Sequence, residues 1–67
     1  MYQLKNTLDG GQIVIRLFDN ANIPFDPANT DYANFKAQIN ADEAQLLDAD
    51  GNLMTPTEAK AYVATLP

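Results

Sequence analysis

Cysteine, histidine and tryptophan are all missing from this chain. Without cysteine there are no disulfides and no thiolate metal sites. Without histidine there is no imidazole ligand and no use of the commonest general base. Positive charge is scarce as well: 4 lysines and arginines stand against 9 aspartates and glutamates, a net charge of −5. Between Asp19 and Asp50 every charged residue but Lys36 is acidic. Nucleic-acid binders draw most of their affinity from cations on phosphate, so direct nucleic-acid contact is not expected. The acidity reads as a soluble, self-repelling surface, with an acidic face for a basic partner, or a nucleic-acid mimic, as the sharper alternative. Long apolar runs are lacking too. The longest run of large aliphatic residues, Ile13 to Ile15, is far too short to cross a bilayer, and "MYQLKNTLDGG" has neither the positive start nor the apolar core of a signal peptide. No membrane association is expected, and the cytoplasm is the expected compartment.

What is present is a 67-residue chain with 46% hydrophobic residues, the makings of a single small folded domain spanning residues 1–67. A domain of this size buries only about 60% of the surface its unfolded chain exposes. With no disulfide or metal to reinforce it, tight packing or self-association must do so, and a homodimer is the expected assembly.

Hydrophobic periodicity divides the chain into units. "MYQLKN" alternates as a strand does, and "LDGG" offers the positive φ angles of a tight hairpin. "QIVIRLFD" is the strongest strand pattern, with Ile13, Ile15 and Leu17 on one face and Val14, Arg16 and Phe18 on the other. The wholly apolar face is the expected core. "DNAN" is turn chemistry, and the Xaa-Pro pairs Ile23-Pro24 and Asp26-Pro27 keep the backbone extended until a helix can begin. Tyr32, Phe35 and Ile39 then recur at helical spacing, which predicts a helix from about Thr30 to Ile39, capped by Asn29 or Thr30. Ile23 and Phe25 are expected to tuck beneath its first turn. "DADGN" between "QLL" and "LMT" predicts a second, short hairpin. "TPTEAKAYVATLP" opens with Thr55 as N-cap, Pro56 at the first helical position and Glu58 completing a capping box. The expected fold is α+β: a small antiparallel sheet of two hairpins with two helices packed mainly on one face, in the order β-β-α-(β-β)-α. Its core should hold Ile13, Ile15, Leu17, Phe35, Ile39, Val63 and Leu66.

Motifs with chemical promise resolve into local structure. In "DADGN", placing Gly51 at the invariant glycine of a calcium loop puts Leu46 at the first ligand position and Thr57 at the closing one, so no calcium site is expected. "LDGG" lacks the lysine of a phosphate loop and precedes a strand rather than a helix. The carboxylate pairs Asp26/Asp31 and Asp42/Glu43 fall in caps, turns or loops, and so short a chain has little room to enclose a substrate. No catalytic residue, metal or cofactor is expected. The candidates for a protein contact are Val14, Arg16, Phe18, Asp26 and Asp31. Met1 to Asn6, read as an outer strand, is a further place for a two-fold pairing.

The segment "VIRLFDNANIPFDPANTDYANF", Val14 to Phe35, resembles a pattern found in small proteins of tailed bacteriophages and prophages. There it runs as a hydrophobic strand "IRLSD" followed by "A-x-IP-x-DP-x-N-x-DY-x-x-(Y/F)". The matching residues here are Ile15, Arg16, Leu17, Asp19, Ala21, Ile23, Pro24, Asp26, Pro27, Asn29, Asp31, Tyr32 and Phe35. The chain departs from the pattern at Phe18, where many relatives carry serine, and after the first helix, where "KAQINADEAQLL" replaces "W-L-A-x-G-N-x-P". Such proteins are encoded near tail-fibre and tail-assembly genes. The resemblance implies a non-enzymatic accessory or structural protein of the late or tail module, acting through contacts with itself, a tail component or a host protein. It would work in the cytoplasm of the bacterial host or on the virion. The alternative is a small acidic inhibitor of a host protein or defence complex.

Overall fold

The computed structural model describes residues 1–67, and the fold is α+β. Strands β1 (Tyr2–Asn6) and β2 (Gln12–Arg16) form the first hairpin, antiparallel, with Leu4 opposite Val14. Gly10 closes the hairpin at a φ of +86°, in the left-handed region. A turn over residues 17–20, with Asn20 at φ 58°, brings the chain back as β3 (Ala21–Pro24) antiparallel to β2. The last two residues of "DNAN", Ala21 and Asn22, are therefore strand rather than turn, because they pair with Arg16 and Ile15. Ile23, before Pro24, is extended as expected, and the stretch around it pairs as a further strand.

Helix α1 (Thr30–Asn40) follows, its N-cap being Asn29, whose Oδ1 accepts the Tyr32 amide at 3.0 Å. The short β4 (Leu46–Leu47) then lies parallel to β1 and completes a mixed sheet of order β3-β2-β1-β4. The second hairpin is present as a single antiparallel bridge, Leu47 to Leu53, around a turn with Gly51 at φ +87°. Helix α2 (Pro56–Val63) begins with the expected capping box: the Glu58 amide donates to Thr55 Oγ1 at 3.1 Å, and the Thr55 amide donates to Glu58 Oε1 at 3.0 Å.

Both helices pack on one side of the sheet. The core is Tyr2, Leu4, Val14, Ile23, Tyr32, Phe35, Ile39, Leu46, Ala59 and Val63. Tyr2 meets Phe35 edge-on at 5.0 Å between ring centroids, and Phe25 lies 5.5 Å from Tyr32, beneath the first turn of α1. Phe35, Ile39 and Val63 are core as the periodicity predicts, whereas Leu66 is half-buried against it. The face of β2 is a correction. Val14 is wholly buried, while Ile13 and Ile15 are half-exposed on the side of the sheet that no helix covers. Register is the reason: Val14 lies between Leu4 and Ile23, whereas Ile13 and Ile15 have Lys5, Gln3, Pro24 and Asn22 as cross-strand neighbours. Leu17 falls in the turn and is half-buried.

A second correction concerns the edges. Tyr2 and Gln3 of β1 lie between β2 and β4, so Met1 to Asn6 is not a free outer strand. The edge strands are the two-residue β4 and, on the opposite side, β3. Strand β3 is blunted by Pro24, which has no amide hydrogen and whose carbonyl already accepts the Asp26 amide at 2.9 Å. No helix is long and apolar enough to cross a membrane.

Candidate functional site

Arg16, the last residue of β2, is on the helix side of the sheet, two positions along from Val14. Its Nε and Nη2 donate to the two oxygens of Asp19 at 3.1 and 2.8 Å, a fork across the turn that follows the strand. Its Nη1 donates to Asp31 Oδ1 at 3.1 Å, tying the end of β2 to the first turn of α1. These bonds, led by the one to Asp19, hold the guanidinium firmly protonated. In return they lower the Asp19 carboxyl below its ordinary range, with the hydrogen bond from Arg16 as the main cause.

The clamped guanidinium lies over the Phe18 ring, 5.0 Å from its centroid. Phe18 is 80% exposed, so the ring stands out from the surface against the Arg16 guanidinium. It forms one wall of an open cleft of about 450 Å³, otherwise lined by Tyr2, Arg16, Asn34, Gln38 and Glu43. Asn34 and Gln38 share a face of α1 four residues apart, and the Tyr2 hydroxyl donates to Gln38 Oε1 at 2.6 Å. Burial pushes the Tyr2 phenol up, with the nearby Arg16 opposing it.

Ala44 belongs to this cleft and also to a second, more apolar one. The second is a groove of about 350 Å³ between the end of α1, β4 and the start of α2, lined by Ile39, Ala44, Leu46, Leu53, Met54 and Ala59. At its margin Asp42 pairs with Lys60 at 2.9 Å. Leu53, on the rim, is 57% exposed. Phe18, Met1 and Leu53, three of the large hydrophobic side chains left in solvent, therefore surround two adjoining clefts.

Of the residues expected to make a contact, the structure brings Arg16, Phe18 and Asp31 together. Val14 is a correction: it is in the core and offers nothing to a partner. Asp26 lies outside this group, exposed in the turn before α1, where its Oδ1 accepts the Ala28 amide at 3.0 Å. The apolar groove, and Leu53 on its rim, escape sequence reasoning because their residues come from three elements with no shared period. Leu8 also escapes it, yet the signal is there: an apolar residue in a hairpin turn of otherwise polar and glycine residues.

Most carboxylates serve local structure. Asp19 and Asp31 hold Arg16, Asp42 holds Lys60, Glu58 caps α2, and Asp9, Asp26 and Asp48 accept turn amides. Glu43 has no side-chain partner, and among the four cations neither has Lys5. No group of three histidine, cysteine, aspartate or glutamate side chains converges as metal ligands would. What the arrangement offers is a rigid aromatic ring, side-chain amides and an apolar groove, which is the chemistry of binding. Fold and site together define a small α+β domain with its contact features gathered around two clefts. No protein-family model, curated protein or solved structure matches the chain.

Proposed function

We propose that this chain is a non-enzymatic, phage- or prophage-encoded accessory or structural protein of the late or tail module, acting through protein contacts. The observation that carries the contact reading is the placement of Phe18, 80% exposed on a clamped arginine, beside an apolar groove rimmed by Leu53. An exposed aromatic that rests on a guanidinium itself fixed by two carboxylates has less freedom to lose when a partner arrives, which lowers the entropic cost of binding. The phage reading is supported by the segment from Val14 to Phe35, whose strand–turn–helix order matches the pattern of small tail-module proteins. The working place is then the cytoplasm of the bacterial host, or the virion.

Affinity capture from phage-infected cells, with Phe18→Asp as a parallel bait, tests this reading. Tail or tail-assembly proteins should be retained by the original chain and lost by the variant. Recovery of a host nuclease or other basic host complex, without tail proteins, would replace the structural role with that of an acidic inhibitor.

A further inference from the structure

One exposed hydrophobic residue lies apart from the two clefts. Leu8 is fully exposed at the tip of the β1–β2 hairpin. The tip is held in one shape: the Thr7 amide donates to the Gly11 carbonyl at 2.9 Å and the Gly10 amide to the Thr7 carbonyl at 3.2 Å. Asp9 is turned back into the same turn, where it accepts the Thr7 hydroxyl and the Gly11 amide. Leu8 is thus a lone apolar knob on a rigid arm.

The groove is at the other end of the sheet. Strand β4 pairs with β1 at Tyr2 and Gln3, so the groove lies beside the first residues of β1. The rise of an extended chain from Tyr2 to Leu8 puts the knob about 20 Å away, in a molecule with extents of 28 × 27 × 25 Å. A knob cannot reach the groove of its own chain. It can reach that of a neighbour.

Charge supports the same occupant. Lys5, on the arm that carries Leu8, has no carboxylate partner, and Glu43, next to the groove residue Ala44, has no cation. The groove end is acidic, with Asp42, Glu43 and Glu58 against Lys60, whereas the hairpin arm balances Lys5 against Asp9. An arm with no net charge and a free lysine meets an acidic end without repulsion. Phe18 and Met1 flank the neighbouring cleft at the groove end, so neither offers an apolar group at the opposite pole.

We propose that copies of this chain associate head to tail, Leu8 of one copy seating in the groove between Ile39, Leu46, Leu53 and Met54 of the next, with Lys5 meeting its Glu43. The proposal rests on the protein-contact reading above and names a second copy as one partner. Knob and groove are different surfaces, so the interface is heterologous, and it repeats into a ring or an open filament according to the rotation between neighbours. A single side chain and one exposed ion pair make a small contact, which places it among weak, concentration-dependent interfaces.

Sedimentation velocity of the full chain at low salt, from about 10 µM to about 1 mM, covers the range where so small an interface acts. The average mass should climb from 7.3 kDa with concentration and pass beyond the dimer. Leu8→Asp and Leu53→Asp alter exposed residues and should leave the circular-dichroism spectrum unchanged. Each alone should lose the association. Mixed in equal amounts they retain one working knob and one working groove, so they should form a one-to-one pair and stop there. Glu43→Lys should weaken association, and adding Lys5→Glu to the same chain should restore it. A parent that stays monomeric at about 1 mM overturns the proposal, as does Leu8→Asp associating like the parent or a mixture that fails to pair. A monomer that still captures tail proteins would remove this interface and leave the protein-contact reading standing.

Discussion

The two faces of strand β2 both carry β-branched residues, yet one is core and the other is not. Ile13 and Ile15 look like the stronger face when the strand is read alone, since Val14 shares its side with Gln12 and Arg16. The sheet decides otherwise. On the helix side Val14 is joined by Tyr2, Leu4, Ile23 and Leu46, one or more from every strand. On the open side Ile13 and Ile15 share the surface with Gln3, Lys5, Asn22 and Pro24. Burial is a property of a whole face summed over its strands, and the β-branched residues on the open side still suit a pleated, half-covered surface. Arg16 fits the same account: it stands at the margin of the covered face, where its guanidinium reaches α1 and remains in contact with water.

The largest effect that tests this contrast is at Phe35, which is wholly buried, meets Tyr2 edge-on and stacks on Tyr32. Phe35→Ala should cost about 3–5 kcal/mol. A domain of this length has a total stability of roughly 3–10 kcal/mol at typical per-residue values, so the variant should lose about a third of it or more and melt well below the parent by circular dichroism. A cooperative, native-like melt would mean that the helix-covered face is not the main core.

Alkaline pH strikes the same face. Burial raises the phenol pKa of Tyr2, Tyr32 and Tyr62 above the ordinary value. In the unfolded chain these phenols ionise near pH 10. The folded state holds its protons longer, so it gains stability that is complete below about pH 10 and is lost as pH rises from there through the folded values. The midpoint of urea unfolding should be flat between pH 8 and 9.5 and fall above about pH 10, with tyrosinate absorbance appearing together with unfolding. Tyrosinate signal from all three rings at pH 10, without loss of structure, would contradict their burial.

Much of this fold was legible in the sequence where local chemistry decides. Thr55, Pro56 and Glu58 define the start of α2 by themselves, and Asn29, with the stripe Tyr32, Phe35 and Ile39, defines α1 to within a residue. What stayed hidden was set by pairing between distant segments. Ile23 was readable as extended and Ala21 and Asn22 as turn, but none of β3 as a strand, because nothing local tells an extended linker from a paired one. The parallel placement of β4 beside β1, which removes an edge and builds one wall of the groove, depends on α1 carrying the chain across the sheet. The site divides in the same way. Arg16, Phe18 and Asp31 were within reach of periodicity, whereas the groove needed three elements to be in place.

The caps give a smaller and more local test. Thr55→Ala removes the acceptor of the Glu58 amide but keeps the backbone amide that donates to Glu58 Oε1, and should cost about 1 kcal/mol. The Glu58 carboxyl is lowered first by that backbone bond and then by the Thr55 hydroxyl. Only the hydroxyl's share differs between the two chains; it is present above the ordinary glutamate range and is lost as pH falls through the lowered folded value, so acid should narrow the difference between Thr55→Ala and the parent. A difference unchanged down to pH 2 would show that the Thr55 hydroxyl does not act on the carboxylate.

The smallest effect carries the comparison of faces furthest. Val14→Thr and Ile15→Thr put the same hydroxyl on adjacent residues of one strand, with threonine well suited to both backbones. At Val14 the hydroxyl enters a site with no solvent exposure, between Leu4 and Ile23, and should cost about 1–3 kcal/mol for want of a partner. At Ile15 it reaches water on the uncovered side, and the change should stay within about 0.5 kcal/mol. Urea unfolding of both variants, at equal m-values, measures the two costs directly. Equal losses would mean that something covers the Ile13–Ile15 face in solution. Because the head-to-tail contact leaves that face bare, a concentration-dependent loss at Ile15 would point to a different interface, built sheet against sheet.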